Sequence, residues 1–279
     1  MNSQIDSQIN LPSSGVAGEA VLYVIKIGGN IIDDESKLTS FLQKFAAIKG
    51  NKILVHGGGK LATKLAADLG IQQQMVDGRR ITDAETLKIV TMVYAGYINK
   101  NIVTQLQANG CNAIGLTGAD GNMISAHKRV HTTIDYGFVG DIDSVNTGFL
   151  QNLLNSGLAV VAAPITHDSS GQLLNTNADT IAQEIANAMG NIYEVQLIYS
   201  FEKPGVLLDV TDENSVISRI NPADYEVLKS KNLIFAGMIP KLDNAFTALQ
   251  SGVHKVIIGR AEELEQLIAG KTGTTILHE

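Results

Sequence analysis

The chain has 279 residues, 44% of them apolar and 18% charged, enough for one large α/β domain or two small ones with a proper core, and this excludes disorder. Lys plus Arg number 21 against 28 Asp plus Glu, a formal net charge of −7 without a basic stripe, so nucleic acid is not an expected partner. A single cysteine, Cys111, can build neither a disulfide framework nor a zinc cluster, and a reducing compartment, the cytoplasm, is expected. Apolar stretches such as residues 20–25 and 158–165 fall short of the roughly 18 residues that a spanning helix needs, so no membrane is expected. Residues 1–20 read as a flexible arm, because Met1 to Ser14 is polar and resembles neither a secretory signal nor an Arg-rich transit peptide.

Val21–Ile27 is a β-branched apolar run ended by Gly28-Gly29, the pattern of a buried parallel strand running into a tight loop. Leu38, Phe41, Leu42, Phe45 and Ile48 then recur at helical spacing, with Gly50 placed for a left-handed cap. Residues 52–55 predict the next strand, closed by His56-Gly57-Gly58-Gly59, and Leu61, Leu65 and Leu69 a helix that stops at Gly70. Thr82-Asp83-Ala84-Glu85 has the form of a capping box, opening one long helix with Leu87, Val90, Tyr94, Ile98 and Ile102 on a single face. Residues 113–116, 159–163 and 195–199 read as further buried strands, with helical patterns at 150–154 and 181–189 between them. Pro222 and Pro240 sit where first helical turns are expected, and residues 253–258 form a last strong strand before a helix carrying Leu264, Leu267 and Ile268. This alternation implies a mostly parallel sheet covered on both faces, with ligands outside the carboxyl ends of its strands.

Lys26 is the odd residue of the first strand, since an ammonium behind five apolar or aromatic neighbours needs an anion. Beside Gly28-Gly29 it is placed to hold a polyphosphate; the plainer alternative is a lysine that snorkels past a sheet edge. His56-Gly57-Gly58-Gly59 ends a strand and opens a helix, which bares backbone N–H groups at a positive helix terminus and makes an anion cradle, although close strand–helix packing alone can also call for glycine. Read as Gly57-x-Gly59-x-x-Ala62 the segment fits the dinucleotide fingerprint, with Asp77 about twenty residues on. Residues 71–76 are too polar for the buried strand that should present that acid, so the nicotinamide reading is set aside. Gly270-Lys271-Thr272 lacks the first glycine of a P-loop, Glu265 standing in its place. His127 and His131 have no third ligand at helical spacing, and no metal cage is expected.

Asn175-Thr176-Asn177-Ala178-Asp179 opens a helix, where Asn and Asp serve as caps, but it also follows a strand and so falls on the ligand edge of the sheet. Arg79-Arg80 can clamp a carboxylate through bidentate hydrogen bonds or simply stay solvated. Lys241 occupies the first turn of its helix, where the macrodipole disfavours a cation unless an anion is bound. Two lysines placed for phosphate, with Asp179 as a partner to orient them, point to phosphoryl transfer without a P-loop.

Six motifs occur in a telling order and spacing: Lys26-Ile27-Gly28-Gly29, Val55-His56-Gly57-Gly58-Gly59, Asp77-Gly78-Arg79-Arg80-Ile81-Thr82, Gly137-Phe138-Val139-Gly140, Asn175-Thr176-Asn177-Ala178-Asp179 and Gly237-Met238-Ile239-Pro240-Lys241. With them the chain resembles the amino acid kinase superfamily over nearly everything after the arm, and within it the branch acting on N-acetyl-L-glutamate in arginine biosynthesis. The resemblance implies an α/β fold, a three-layer αβα sandwich with a mainly parallel central sheet, divided into an N-acylglutamate-binding lobe at 21–190 and an ATP-binding lobe at 191–279. It implies that ATP, carrying Mg²⁺, phosphorylates the substrate's side-chain carboxylate to an acyl phosphate. Such a carboxylate, with a pKa of about 4.3, is already an anion at neutral pH, so the nucleophile needs no base and the task is to offset charge repulsion. Lys26 and Lys241 resemble the lysines that stabilise the transferring group, and Asp179 the acid that holds both. Gly58, Gly59, Arg80, Asn175 and Asn177 resemble substrate-binding groups. Gly28, Gly29 and Gly57 resemble nucleotide-binding ones, together with Ser200, Phe201, Lys203 and Gly205 in one segment and Phe235, Gly237 and Met238 in another.

The chain departs from the family pattern in places. Ser200-Phe201-Glu202-Lys203-Pro204-Gly205 lacks the Asp that usually follows its strand, and Ala119 stands where many members carry Lys. Arginine-inhibited members interlace an N-terminal helix, which Pro12, Gly15 and Gly18 would break here, so an arginine-insensitive homodimer is expected. Two rivals stay open. One is the same reaction on N-succinyl-L-glutamate, since the sequence does not measure the pocket around the amide. The other is a non-catalytic amino-acid sensor on the same fold, which would be expected to lose Lys26, Lys241 or Asp179; all three are present.

Overall fold

The β-branched runs become strands and the segments of helical period pack over them, as laid out in a computed structural model that describes residues 20–76, 79–231, 233–234 and 238–278. The arm expected at 1–20 lies outside the described residues except for Ala20. The first strands are β1 (Val21–Ile27), β2 (Asn51–His56), β3 (Gln74–Val76), β4 (Arg79–Ile81), β5 (Ala113–Leu116), β6 (Ile124–Lys128) and β7 (Gly140–Val145). Then come β8 (Ala159–Ala162), β9 (Ile165–His167), β10 (Leu173–Asn175), β11 (Glu194–Phe201), β12 (Arg219–Ile220), β13 (Lys255–Arg260) and β14 (Thr274–Ile276). The helices are α1 (Gly29–Ile32), α2 (Glu35–Ala47), α3 (Gly59–Asp68), α4 (Ala84–Thr91) and α5 (Asn99–Ala108). They continue with α6 (Thr147–Asn155), α7 (Ala178–Met189), α8 (Pro222–Ser230), α9 (Ile239–Gln250) and α10 (Leu264–Ile268).

The principal sheet has the order β12-β14-β13-β11-β1-β2-β8-β5. Its neighbours run parallel except β13 and β14, so it is the mainly parallel sheet that the alternation predicts. Strands before residue 190 supply the half β1-β2-β8-β5 and later strands the other half, the two meeting where β1 pairs with β11 along its whole length. Alternate residues of β1 serve two cores. Leu22 and Val24 pack with α7 residues Ile181 and Ile185 and with α9 residues Leu242 and Leu249, while Ile25 and Ile27 pack with Phe41 and Phe45 of α2 and Ile102 of α5. The result is helices, sheet, helices: three layers.

The helix predicted from Leu87 to Ile102 is continuous but not uniform, because a π-helical stretch, Met92–Ile98, joins α4 to α5. Its start also differs from the capping box read at Thr82. Asp83 is the cap, accepting from Thr86 N at 2.7 Å, while Thr82 is buried and bridged to Gly137. Pro222 opens α8 with a complete capping box between Asn221 and Asp224. The polar segment 71–76 makes no buried strand; β3 pairs with β4 in a separate antiparallel hairpin. Four short strands were not foreseen and form a second sheet, β10-β9-β6-β7. At the start of β2 the buried Lys52 closes α2, its Nζ donating to the carbonyls of Phe45 (3.0 Å), Ala46 (2.9 Å) and Ile48 (2.7 Å).

Candidate active site

The carboxyl ends of β1, β2 and β11 lie side by side, with Lys26 in register with Val55 and Tyr199. By alternation Lys26 shares the face of Leu22 and Val24, the face that α7 covers. The first turn of α7 presents Asp179, and Lys26 Nζ lies 2.7 Å from its Oδ1, the side chains 17% and 34% exposed. That turn is held by Asn177, whose Oδ1 accepts from Asp179 N (2.8 Å) and Thr180 N (3.1 Å), so this side chain is a cap as well as a neighbour of the cavity.

Lys241 sits in the first turn of α9 with Nζ 4.4 Å from the centre of the Phe201 ring, at the end of β11. Burial lowers its pKa below that of an ordinary lysine; Asp179 pulls it up, Lys26 pushes it down and Glu202 pulls it up. Two ammonium groups and one carboxylate thus act on a common locus. Glu202, the first residue past β11, accepts from Asn30 Nδ2, and Asn30 Oδ1 accepts from Lys60 Nζ at 2.5 Å.

The glycines after β2 are not equivalent. Gly57 N–H donates to Ile27 O at 3.3 Å, while no acceptor meets the N–H of Gly58 or Gly59 among the described residues. Gly58 has φ +145°, and a Cβ there would lie 2.2 Å from Ile98 Cδ1, so only glycine fits. Gly28 caps α1 and Gly29 begins it.

Beside these glycines is a cavity of ≈ 210 Å³ that Arg80, Asn175, Asn177, Tyr94 and Arg129 help to line. Arg80 is buried and donates to Gly59 O (2.9 Å), Thr63 Oγ1 (2.9 Å) and Gln73 Oε1. Asn175 Nδ2 donates to Thr82 Oγ1 at 3.0 Å. Arg129 escaped the sequence reading, because a lone arginine between two scattered histidines, His127 and His131, carries no pattern; it forks onto Asp141 at 2.5 to 3.1 Å.

Of the remaining expected nucleotide contacts, Ser200 lies in register with Ile27, its hydroxyl buried and without a partner among the described residues. Lys203 Nζ is 3.9 Å from Glu213, and a Cβ at Gly205 would come within 2.7 Å of Thr274 Oγ1, so that glycine is needed for packing. Met238 caps α9. Asp77, Gly78, Phe235 and Gly237 lie outside the described residues. Among the described residues no group of three or more His, Cys, Asp or Glu could hold a metal ion, and no helix is long and apolar enough to cross a membrane. His127 lies on β6, exposed and 2.6 Å from Asp143.

The model of the amino acid kinase family matches residues 22–260. An acetylglutamate kinase of Cytophaga hutchinsonii is 61% identical over 248 residues, 88% of this chain and 94% of the relative. Among solved structures, N-acetylglutamate synthase from Neisseria gonorrhoeae, complexed with coenzyme A and N-acetyl-glutamate, superposes with a TM-score of 0.78 at 21% identity, over 93% of this chain and 60% of that one. Carbamate kinase from Giardia lamblia bound to AMP-PNP gives 0.64 at 14% identity, over 94% of this chain and 99% of that one.

Proposed function

The chain belongs to the amino acid kinase family, and on that premise we propose that it transfers the γ-phosphoryl group of ATP to the side-chain carboxylate of N-acetyl-L-glutamate, giving an acyl phosphate in arginine biosynthesis. The observation that carries the reaction is the Lys26–Asp179 ion pair within electrostatic reach of Lys241. Two anions must approach one another, so the barrier is charge repulsion in a loose transition state. Lys26 and Lys241 offset it, and Asp179 orients them without being consumed.

The substrate occupies the cavity beside Gly58 and Gly59. Arg80 holds its α-carboxylate, Asn175 its N-acyl group, and Asn177 supports both from the cap. Gly28, Gly29, Gly57, Ser200, Phe201, Lys203, Gly205 and Met238 lie along the nucleotide side. The carbamate kinase that superposes on this chain was bound to AMP-PNP, which supports ATP as the donor. Mg²⁺ travels with the nucleotide phosphates. Residues 21–190 form the acylglutamate lobe and 191–279 the ATP lobe of a cytoplasmic homodimer that arginine does not inhibit.

The test is ATP-dependent acyl-phosphate formation, trapped with hydroxylamine, on N-acetylglutamate, N-succinylglutamate, glutamate and aspartate side by side. Turnover of N-acetylglutamate alone is the expected result. Turnover of the succinyl compound instead would change the acyl group, and binding without turnover of any of the four would replace the enzyme with a sensor.

A further inference from the structure

His56, the last residue of β2, is fully buried, and the reaction described above gives its imidazole nothing to do. Its Nδ1 lies 2.8 Å from the carbonyl oxygen of Gly57 and its Nε2 3.2 Å from Nδ2 of Asn99, the first residue of α5. The Asn99 amide is oriented from outside: Lys100 Nζ donates to its Oδ1 at 3.0 Å, and its Nδ2 donates to Val161 O at 3.0 Å. An amide nitrogen only donates, so His56 Nε2 accepts and the ring proton resides on Nδ1, where it donates to Gly57. Burial holds the His56 pKa down at about 4, so the imidazole is neutral near pH 7.

The surroundings are shaped for this chain of bonds. A Cβ at Gly115 would stand 2.0 Å from Asn99 Oδ1, so the amide can enter only over a glycine. Asn99 directly follows the π-helical stretch whose Tyr94 and Ile98 press on Gly58, so one irregular helix braces the glycine loop and the histidine behind it. A trans peptide points its carbonyl and the next N–H in opposite directions. Holding the Gly57 carbonyl on the ring therefore turns the Gly58 N–H away from His56, and Gly58 itself lines the cavity.

We propose that His56 is a positioning residue: held by Asn99, it locks the Gly57–Gly58 peptide so that the Gly58 N–H is aimed at the charge that develops on the phosphoryl group in flight. This rests on the kinase reading above. A donor pre-set for the transition state acts on kcat and hardly on KM, which sets it apart from a residue that merely fills the core.

The experiment compares wild type, His56→Leu, His56→Asn and Asn99→Leu in the hydroxylamine assay with ATP and N-acetylglutamate, with a thermal melt of each. An Asn at 56 can place its amide N–H close to the position of Nδ1, so it should restore most of the rate. We expect His56→Leu to lower kcat about 100-fold with both KM values within about threefold, and Asn99→Leu, which frees the ring to change tautomer, to fall between. Wild type inactive on acylglutamates would overturn the kinase reading and take this inference with it. An active wild type with an unimpaired His56→Leu, a loss confined to KM, or equal losses in the Leu and Asn variants would overturn the inference alone. Should His56→Leu fail to fold, the same kcat-against-KM split in Asn99→Leu decides.

Discussion

Lys26 and Asp179, 2.7 Å apart, tie the end of the central strand to the first turn of the helix that crosses it. A pair this exposed adds little stability. Its value lies in placement, for the carboxylate also pulls up the pKa of Lys241 and so offsets the repulsion between two ammonium groups. Asp179→Asn should keep the fold but lower kcat by about 100-fold or more, with KM for the acylglutamate little changed. Steady-state kinetics on the folded variant decides it; a rise in KM alone would remove Asp179 from the transition state.

Burial makes the Lys241 ammonium a stronger acid, so its charge is lost at lower pH than that of an ordinary lysine. The Phe201 ring, 4.4 Å away, favours the charged form. Phe201→Leu should move the alkaline limb of the kcat profile to lower pH by up to about one unit, the equivalent of a cation–π contact of roughly 1 kcal/mol. A limb that stays in place would mean that the ring only fills space.

Arg80 donates from both ends of its fork, to Gly59 O and Thr63 on one side and Gln73 on the other. A lysine keeps the charge and loses the plane. Arg80→Lys should raise KM for the acylglutamate about tenfold, equivalent to roughly 1.4 kcal/mol, while KM for ATP holds. Equal increases for both substrates would move the carboxylate clamp elsewhere.

His56 also leaves a mark on stability. Its pKa is about 4 in the folded protein against 6.5 for a free imidazole, so between those values the unfolded chain binds a proton that the native protein refuses. Stability therefore rises with pH across that window, and acidification from 6.5 to 4 removes on the order of 3 kcal/mol through this one group. Denaturant titrations of wild type and His56→Asn at several pH values isolate it, since the carboxylates are common to both. Parallel curves would contradict a buried neutral ring.

Lys52 offers the contrast of an ammonium with a structural task. It stands at the opposite end of β2 from His56, caps three carbonyls of α2 and its exit, and lies over the Phe45 ring. Lys52→Met should cost about 1–3 kcal/mol by leaving buried carbonyls unpaired, with kcat unaffected. Chemical denaturation alongside the kinetic assay reads both.

The main sheet was legible because strands such as β1, β2, β8 and β11 are short apolar runs ended by glycine or small residues, and burial on both faces demands that composition. The strands β6 and β7 were not, since Ile-Ser-Ala-His-Lys and Gly-Asp-Ile-Asp-Ser-Val lie in a smaller sheet with polar residues on one side, and such alternation over five or six residues is a faint signal. In the site, Lys26 announced itself by being charged in an apolar strand. Asn99 could not: inside a helical pattern an asparagine looks like a solvated residue, and only the approach of Gly115 and His56 from distant strands gives it a partner. The π-helical stretch was hidden for a related reason, as its apolar residues satisfy the ordinary helical period to within one position.

The seam between β1 and β11 has one more consequence. Seven consecutive residues of each strand are in parallel register there, and most of their side chains are buried. Cutting the chain near residue 190 would leave each piece with a long, flat, apolar margin, the kind that recruits foreign strands. Neither half of the sheet can be inherited, expressed or engineered as a free-standing module without a new border to cover that wound.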